Sequence, residues 1–174
     1  MIRCKVKNKI KKILQENNEY SVPVNVVSLA KKLGFAVVQQ NLDYDGAILV
    51  NEEKEFPLGN ATCKKLITVN VNLNYRRKLF TVAHELGHFI NEVYGTKNSI
   101  YAHREERNKY ATKEVQANIV ASELLMPTDL LSEFVKTLRK HYNDHYLIVD
   151  AISDYFNVSY SAAALRYQRY LDEV

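Results

Sequence analysis

The chain has 174 residues, of which 47% are hydrophobic and 25% charged, and its formal net charge is +4. This composition excludes a disordered chain and predicts one substantial core, in a single domain with at most a small appendage. Two isolated cysteines, Cys4 and Cys63, exclude a disulfide framework and a cysteine-based metal site. No apolar run is long enough for a membrane span, and the lysine-rich start lacks the apolar region of a signal peptide. We therefore expect a cytoplasmic protein without membrane contact.

The N-terminal segment alternates lysines with apolar residues at helical spacing. The apolar positions recur at steps of three and four residues, at Ile2, Val6, Ile10, Ile13 and Leu14. This pattern predicts a helix with one packed face and one solvated basic face. Contact with an acidic partner or with nucleic-acid phosphates is the alternative explanation of the lysines.

A short helix and three strands are predicted next. The helix follows Pro23 and ends at Gly34, a residue suited to a left-handed C-terminal cap. Valine-rich or alternating segments then predict strands over residues 35–40, 47–50 and 66–71, the second of them after an Asp45-Gly46 turn signal. We expect a small sheet, mainly antiparallel or mixed, packed on the helix that follows it.

That helix carries the strongest motif of the chain. Apolar residues at steps of three and four predict an amphipathic helix over residues 75–90, with Asn74 as its cap. It contains H-E-x-x-H, and because residues four apart share a helix face, His84 and His88 can bind one metal ion. Glu85 points past the ion and is the predicted general base of a metal-dependent hydrolase. Glycine costs about 1 kcal/mol relative to alanine inside a helix, so we expect a backbone or a substrate to approach Gly87 closely.

A catalytic zinc ion needs a third protein ligand besides the two histidines. The extended motif that ends in a third histidine fails, because Tyr94 stands at that position. A second helix is predicted over residues 113–126, and Glu114 begins its apolar stripe, where a carboxylate needs a partner or a metal. A first-turn carboxylate favoured by the helix dipole would explain that position as well. Glu114 is nevertheless preferred over acidic residues that water can solvate easily, namely Glu105, Glu106 and Glu123.

Residues 94–110 are polar and show no clear period, which predicts a connection able to cover the cleft. Tyr101, His103 and Tyr110 lie within it, and each is a candidate for stabilising an oxyanion, although none is assigned that role. If Glu114 does not bind the metal, this connection supplies the reserve ligands, which are His103, Glu105 and Glu106.

The C-terminal part predicts a different structure, a pair of helices. Residues 147–156 and 159–170, separated by a short turn, resemble a helix-turn-helix whose second helix could enter a major groove. That helix offers only Arg166 and Arg169 as cations, and Ala162 to Leu165 is predicted to be a buried face. Direct DNA binding is therefore disfavoured against support of the core or docking of a substrate protein.

The motifs together resemble those of the ImmA/IrrE family of metallopeptidases. The resemblance rests on residues 80–88, which contain H-E-L-G-H, on E-V-Q-A-N from Glu114, and on L-L-M-P from Leu124. Residues 23–34 and 67–70 resemble the family's opening helix and the strand before its metal helix. The resemblance implies that His84, His88 and Glu114 hold zinc and that Glu85 is the catalytic base.

The resemblance also implies a fold and a biological role. The expected fold is α+β, with a small three-stranded sheet packed on a helical zincin-like core and followed by C-terminal helices. We place the peptidase core at residues 1–128 and a helical subdomain at 129–174, packed together as one domain. Family members that stand alone typically cleave a helix-turn-helix repressor of a phage or other mobile element. The alternative is a non-catalytic regulator or toxin-antitoxin component that binds DNA or a repressor and keeps a structural metal site.

Overall fold

A computed structural model describes residues 2–51, 53–95 and 107–173 of the chain. The fold is α+β, as predicted, with seven helices and two small sheets among the described residues. The helices are α1 (Ile2–Glu16), α2 (Val26–Lys32), α3 (Tyr75–Glu92), α4 (Arg107–Leu125), α5 (Thr128–Leu138), α6 (His145–Tyr155) and α7 (Tyr160–Leu171). The strands are β1 (Ala36–Gln40), β2 (Gly46–Val50), β3 (Phe56–Leu58), β4 (Ala61–Cys63) and β5 (Lys65–Asn70).

The chain divides into two compact units. The sheet unit comprises Val26–Ala121, and the helical unit comprises Met1–Asn25 with Ser122–Val174. The boundary predicted from the sequence, at residue 128, stays a prediction. No helix among the described residues has the length and apolar character needed to cross a membrane.

The three predicted strands form one mixed sheet in the sheet unit. Their order is β1-β5-β2, with β5 parallel to β1 and antiparallel to β2, and each strand lies within one residue of its predicted position. β5 is the central strand, and its buried side chains pack with α3. The buried apolar residues of this unit include Ile48, Val50, Ile67, Val69, Val82, Leu86, Phe89 and Ile90.

A second, two-stranded sheet was not predicted. It pairs β3 with β4 through the turn at Gly59, whose φ is +58°. Each strand has only three residues, and Pro57 removes one backbone donor. Such short, largely exposed strands carry too few alternating residues for a period to be visible in the sequence.

α3 begins as predicted, at a cap by Asn74. The Asn74 side chain accepts a hydrogen bond of 2.9 Å from the Arg77 backbone N–H. The helix has basic residues in its first turn, which the helix dipole disfavours, but tertiary contacts offset this: Arg77 pairs with Asp45, and Lys78 donates to Gln39 at 2.8 Å. These contacts connect the start of α3 to the end of β1 and to the residue before β2.

α4 is longer than the sequence predicted. It begins at Arg107 rather than at residue 113, so the predicted connection over residues 94–110 was wrong at its C-terminal end. The rest of that connection, with Tyr101, His103, Glu105 and Glu106, lies outside the described residues, as does the Tyr110 side chain. Because Glu114 lies about two turns inside α4, the helix dipole at the first turn does not explain its position.

The helical unit contains the predicted N-terminal helix and the predicted helix pair. Ile10, Ile13 and Leu14 of α1 are buried, and Lys11 pairs with Asp129 at 2.6 Å. α6 and α7 follow one another across the turn at Asn157, where φ is +54°.

Three predictions for the helical unit were wrong. Arg166 is 4% exposed and Glu123, expected in solvent, is 7% exposed, and they form an ion pair of 2.7 Å. Arg166 also donates to Met126 O and Thr128 Oγ1, so it is a core residue and not a free cation. Leu165, predicted to be buried, is 64% exposed.

Candidate metal centre

Three side chains able to ligate a metal meet where α3 and α4 pack together. They are His84 and His88 on α3 and Glu114 on α4, and one ligand atom of each lies within 4.8 Å of the others. The two Nε2 atoms are 3.2 Å apart. Glu114 places Oε2 3.1 Å from His84 Nε2 and Oε1 3.1 Å from His88 Nε2. Among the described residues, this is the one such group of three His, Cys, Asp or Glu side chains.

These separations fit a small divalent ion. Bonds of about 2.0 to 2.1 Å in tetrahedral geometry place neighbouring ligand atoms about 3.3 to 3.4 Å apart. The separations of 3.1 and 3.2 Å in the structure approach that value. Among the residues that the structure describes, two imidazole nitrogens and one carboxylate gather here, which is the set of three protein ligands typical of catalytic rather than structural sites.

The partners of the distal ring nitrogens favour one tautomer for each histidine. His84 Nδ1 lies 3.0 Å from the amide oxygen of Asn118, and His88 Nδ1 lies 3.5 Å from Glu92 Oε1. Amide and carboxylate oxygens are acceptors, so both contacts favour the tautomer with its proton on Nδ1 and a lone pair on Nε2. In that tautomer, two lone pairs and the Glu114 carboxylate face one another without a proton between them. An arrangement of acceptors alone is stabilised by a cation.

The electrostatics of His84 favour the neutral form that ligates metals. Burial lowers the pKa of His84, and the neighbouring His88 lowers it further, while Glu114 and the hydrogen bond that His84 donates to Asn118 act in the opposite direction. The net effect is a lowered pKa. A neutral imidazole is the form in which histidine binds a metal.

Gly87 allows the two helices to come close enough for this cluster. A Cβ atom at Gly87 would lie 2.6 Å from Ala117 O and 3.0 Å from Ala117 Cα, both backbone atoms of α4. The close backbone approach expected from the sequence is therefore confirmed, and the approaching backbone is that of α4. Ala117 lies between Glu114 and Asn118 on this helix, so the contact holds both side chains against the histidines.

Glu85 lies beside the cluster in a buried position. It is 7% exposed, and its Oε1 lies 3.6 Å from where a Cβ atom of Gly46 would be. Burial raises the pKa of Glu85 to about 8, and the negative charge of Glu114 adds to that shift. A cation held by the cluster would lower the pKa of Glu85 again and favour the carboxylate form that a general base requires.

Gly46 is needed for space rather than for a turn. It is the first residue of β2, and a Cβ atom there would clash with the Thr81 side chain and lie 2.7 Å from Thr68 O. Asp45-Gly46 was interpreted from the sequence as a turn, whereas Gly46 lies in a strand at a position where a side chain would not fit. The missing side chain lets β2 run directly past the α3 face that carries Glu85.

β2 has a free edge in the part of the chain that the structure describes. Asp45 O accepts a hydrogen bond from Asn70 N–H, and Asn51 N–H donates to Lys64 O. Counted from these two residues, every second residue of β2 forms its backbone hydrogen bonds with β5. Gly46, Ile48 and Val50 consequently direct their backbone N–H and C=O groups away from β5. The structure thus identifies β2 as the sheet edge next to Glu85.

The structure brings together the three ligands and the base that the sequence singled out. Their roles stay predictions, but their juxtaposition is a property of the fold. Sequence reasoning missed Asn118 and Glu92, the partners of the distal nitrogens. Each lies four residues after a ligand, Glu114 and His88 respectively, so the shared helix face was a signal that could have found them.

Comparison with known proteins identifies the family of the chain. Residues 30–168 match the family described as the IrrE N-terminal-like domain, Peptidase_M78. The chain belongs to this family. No curated protein matches the sequence significantly. The match spans the sheet unit from within α2, the metal cluster and most of the C-terminal helices, and it assigns a metallopeptidase type of function to this IrrE N-terminal-like domain.

Proposed function

We propose that this IrrE N-terminal-like domain is a zinc-dependent endopeptidase. The observation that carries the proposal is the meeting of His84 Nε2, His88 Nε2 and the Glu114 carboxylate at 3.1 to 3.2 Å. Zinc is the preferred ion because two imidazoles and a carboxylate with one open position are a donor set typical of catalytic zinc. A zinc ion held there would supply Lewis-acid activation of a water molecule and of the scissile carbonyl.

The side chains of the chain perform the remaining steps. Glu85 takes a proton from the attacking water and returns it to the leaving amine nitrogen, a transfer that its position next to His84 allows. Asn118 accepts the hydrogen bond from His84 Nδ1–H and so keeps the opposite nitrogen free to act as a ligand. Together these groups activate water and protonate the leaving group.

The free edge of β2 is the proposed binding site of the substrate. Its outward N–H and C=O groups at Gly46 and Ile48 can pair with an extended peptide, which gives affinity without strict sequence dependence. Because Gly46 lies beside Glu85, a peptide on this edge passes close to the base. An unfolded or extended segment of a protein is therefore the expected substrate.

The proposed substrate protein is a helix-turn-helix transcriptional repressor of a phage or other mobile element. This part of the proposal rests on the resemblance to the ImmA/IrrE family. Purified protein incubated with a repressor encoded beside its gene should yield two fragments, and mass spectrometry of the fragments would give the cleaved bond. An intact repressor with zinc-loaded protein would direct the search to other proteins.

The experiment that tests the enzyme itself compares wild type with Glu85→Gln and Glu114→Ala. Elemental analysis should find about one zinc per chain in wild type and in Glu85→Gln, and clearly less in Glu114→Ala. Hydrolysis should fall at least about 100-fold in Glu85→Gln, because the base is lost while the shape is kept. Undiminished cleavage by Glu85→Gln would refute the assignment of the base.

A non-catalytic DNA-binding regulator is the alternative, and the surface of α7 argues against it. The side of α7 opposite its buried residues carries Ser161, Leu165 and Gln168, none of which is a cation. Arg166, one of the two cations that this helix carries, is buried. Since phosphate contacts supply most of the affinity for DNA, we propose that this helix pair does not bind DNA. A salt-sensitive mobility shift of a DNA fragment would revive the alternative.

A further inference from the structure

A charged pair lies behind the metal cluster, on the side of His88 away from Glu114. Glu92 is one turn after His88 on α3, and its Oε1 lies 3.5 Å from His88 Nδ1. The other oxygen, Oε2, accepts from Lys113 Nζ at 2.6 Å. Lys113 belongs to α4 and directly precedes Glu114, the third member of the cluster.

The ion pair between Glu92 and Lys113 connects α3 and α4, the two helices that supply the candidate ligands. Glu92 faces the distal nitrogen of a histidine on α3, while Lys113 is the chain neighbour of the carboxylate supplied by α4. One ion pair thus links the orientation of the His88 ring to the position of α4 at Glu114. A displacement of either side chain changes the geometry at both ligands.

Stability alone is a weak reason for this pair. The Lys113 side chain is 52% exposed and the Glu92 side chain 27% exposed, and solvated pairs of this kind add little to the free energy of unfolding. Its placement against His88 distinguishes it from other surface pairs, such as Lys12 and Glu16 of α1, which are 3.6 Å apart. Carboxylates behind a ligating histidine hold the ring in one tautomer and orientation.

We propose that Glu92 and Lys113 are positioning residues of the metal site. Glu92 orients the His88 ring through Nδ1, and Lys113 holds the Glu92 carboxylate in place and fixes α4 so that Glu114 reaches the two Nε2 atoms. The inference rests on the proposed metal site and concerns how tightly that site binds its ion. Loss of such an outer partner typically weakens metal binding about 10- to 100-fold.

The variant Lys113→Met separates positioning from simple electrostatics. Removing a positive charge next to a cation site strengthens cation binding if only the net charge matters. If Lys113 acts by holding Glu92, the same substitution weakens binding, because the carboxylate is released from its place behind His88. The two explanations predict opposite signs. Methionine keeps most of the apolar stem, and the half-exposed position should tolerate it.

The experiment measures zinc affinity by chelator competition in the full chain, for wild type, Glu92→Gln, Glu92→Ala and Lys113→Met. Glu16→Gln is the matched control, since it removes one carboxylate from an exposed pair in α1. Glu92→Ala should weaken binding about 10- to 100-fold, and Glu92→Gln less, because its amide oxygen can still accept from Nδ1–H. Lys113→Met should weaken binding several-fold, and Glu16→Gln should match wild type. The absorption spectrum of cobalt-loaded protein should change in Glu92→Ala.

Each outcome decides one claim. Unchanged zinc affinity in Glu92→Ala, or stronger binding in Lys113→Met, would overturn the positioning role while leaving the proposed metal site intact. Failure of the wild-type protein to bind zinc would overturn the proposed function and this inference with it. Circular dichroism on each variant confirms that a loss of affinity does not reflect unfolding.

Discussion

Replacement of Gly87 by alanine should reverse the usual effect of that substitution in a helix. Alanine is favoured over glycine in a helix interior by about 1 kcal/mol, so stability should rise if nothing opposed the new methyl group. At Gly87 the Cβ atom would lie 2.6 Å from Ala117 O, whereas ordinary van der Waals contact begins at 3.4 Å. The opposing atoms belong to a helix backbone, which cannot rotate away as a side chain can.

The magnitude follows from those distances. Relief of the clash requires a shift of α4 of about 0.8 Å, the difference between 3.4 and 2.6 Å. Metal–ligand distances tolerate about 0.2 Å, so a shift of that size moves Glu114 out of bonding range. Overpacking costs about 1 to 3 kcal/mol, which equals or exceeds the gain in helix propensity. We expect Gly87→Ala to lower the free energy of unfolding by up to about 2 kcal/mol and to weaken zinc binding at least about 10-fold.

Two assays on the same samples test this expectation. Urea unfolding of metal-free protein gives the change in stability, and chelator competition gives the zinc affinity. Ala164→Gly, within α7, measures the helix-propensity difference in this protein without a comparable clash and should cost about 1 kcal/mol. If Gly87→Ala instead stabilised the protein by about 1 kcal/mol and bound zinc like wild type, the close-approach argument would be refuted.

Two further predictions concern the helical unit. Arg166→Met should lower the free energy of unfolding by about 3 to 5 kcal/mol, because it leaves the Glu123 carboxylate buried without its cation; urea unfolding measures the change, and a loss no larger than that of Arg169→Met would contradict it. The hydrogen bond from Lys11 lowers the pKa of Asp129 below its ordinary 3.8, so the pair adds stability above that pH and the contribution disappears as the pH falls through the lowered pKa. Asp129→Asn should thus be less stable than wild type at pH 7, with a difference that shrinks in acid; a difference independent of pH would exclude the ion pair as its cause.

The sequence alone determined the elements that local pattern specifies. Helical spacing predicted α3, and Asn74 predicted its first residue, because a cap and an apolar period act within a few residues of chain. The strands of the three-stranded sheet were found for the same reason, since alternation and valine content are local. H-E-x-x-H placed two candidate ligands and a candidate base together because residues one and four apart on a helix have a fixed relation.

Tertiary structure decided what depends on residues distant in the chain. Helix spacing left Glu114 open between a metal ligand and a first-turn carboxylate; the start of α4 at Arg107 removes the first-turn explanation, and the packing of α4 against α3 brings Glu114 to the two histidines. Arg166 and Glu123 each looked like solvated charges, because the partner that makes burial of either tolerable lies 43 positions away.

Two glycines show which features follow from local sequence and which depend on tertiary structure. The sequence indicated that something approaches Gly87, since a helix rarely carries glycine without cause, but not that the backbone at Ala117 fills the space. Gly46 was interpreted as a turn residue, because a glycine next to a predicted strand is expected both in a turn and at a close contact. Local patterns fix conformations, whereas the identity of a neighbour across a packed interface depends on the whole fold.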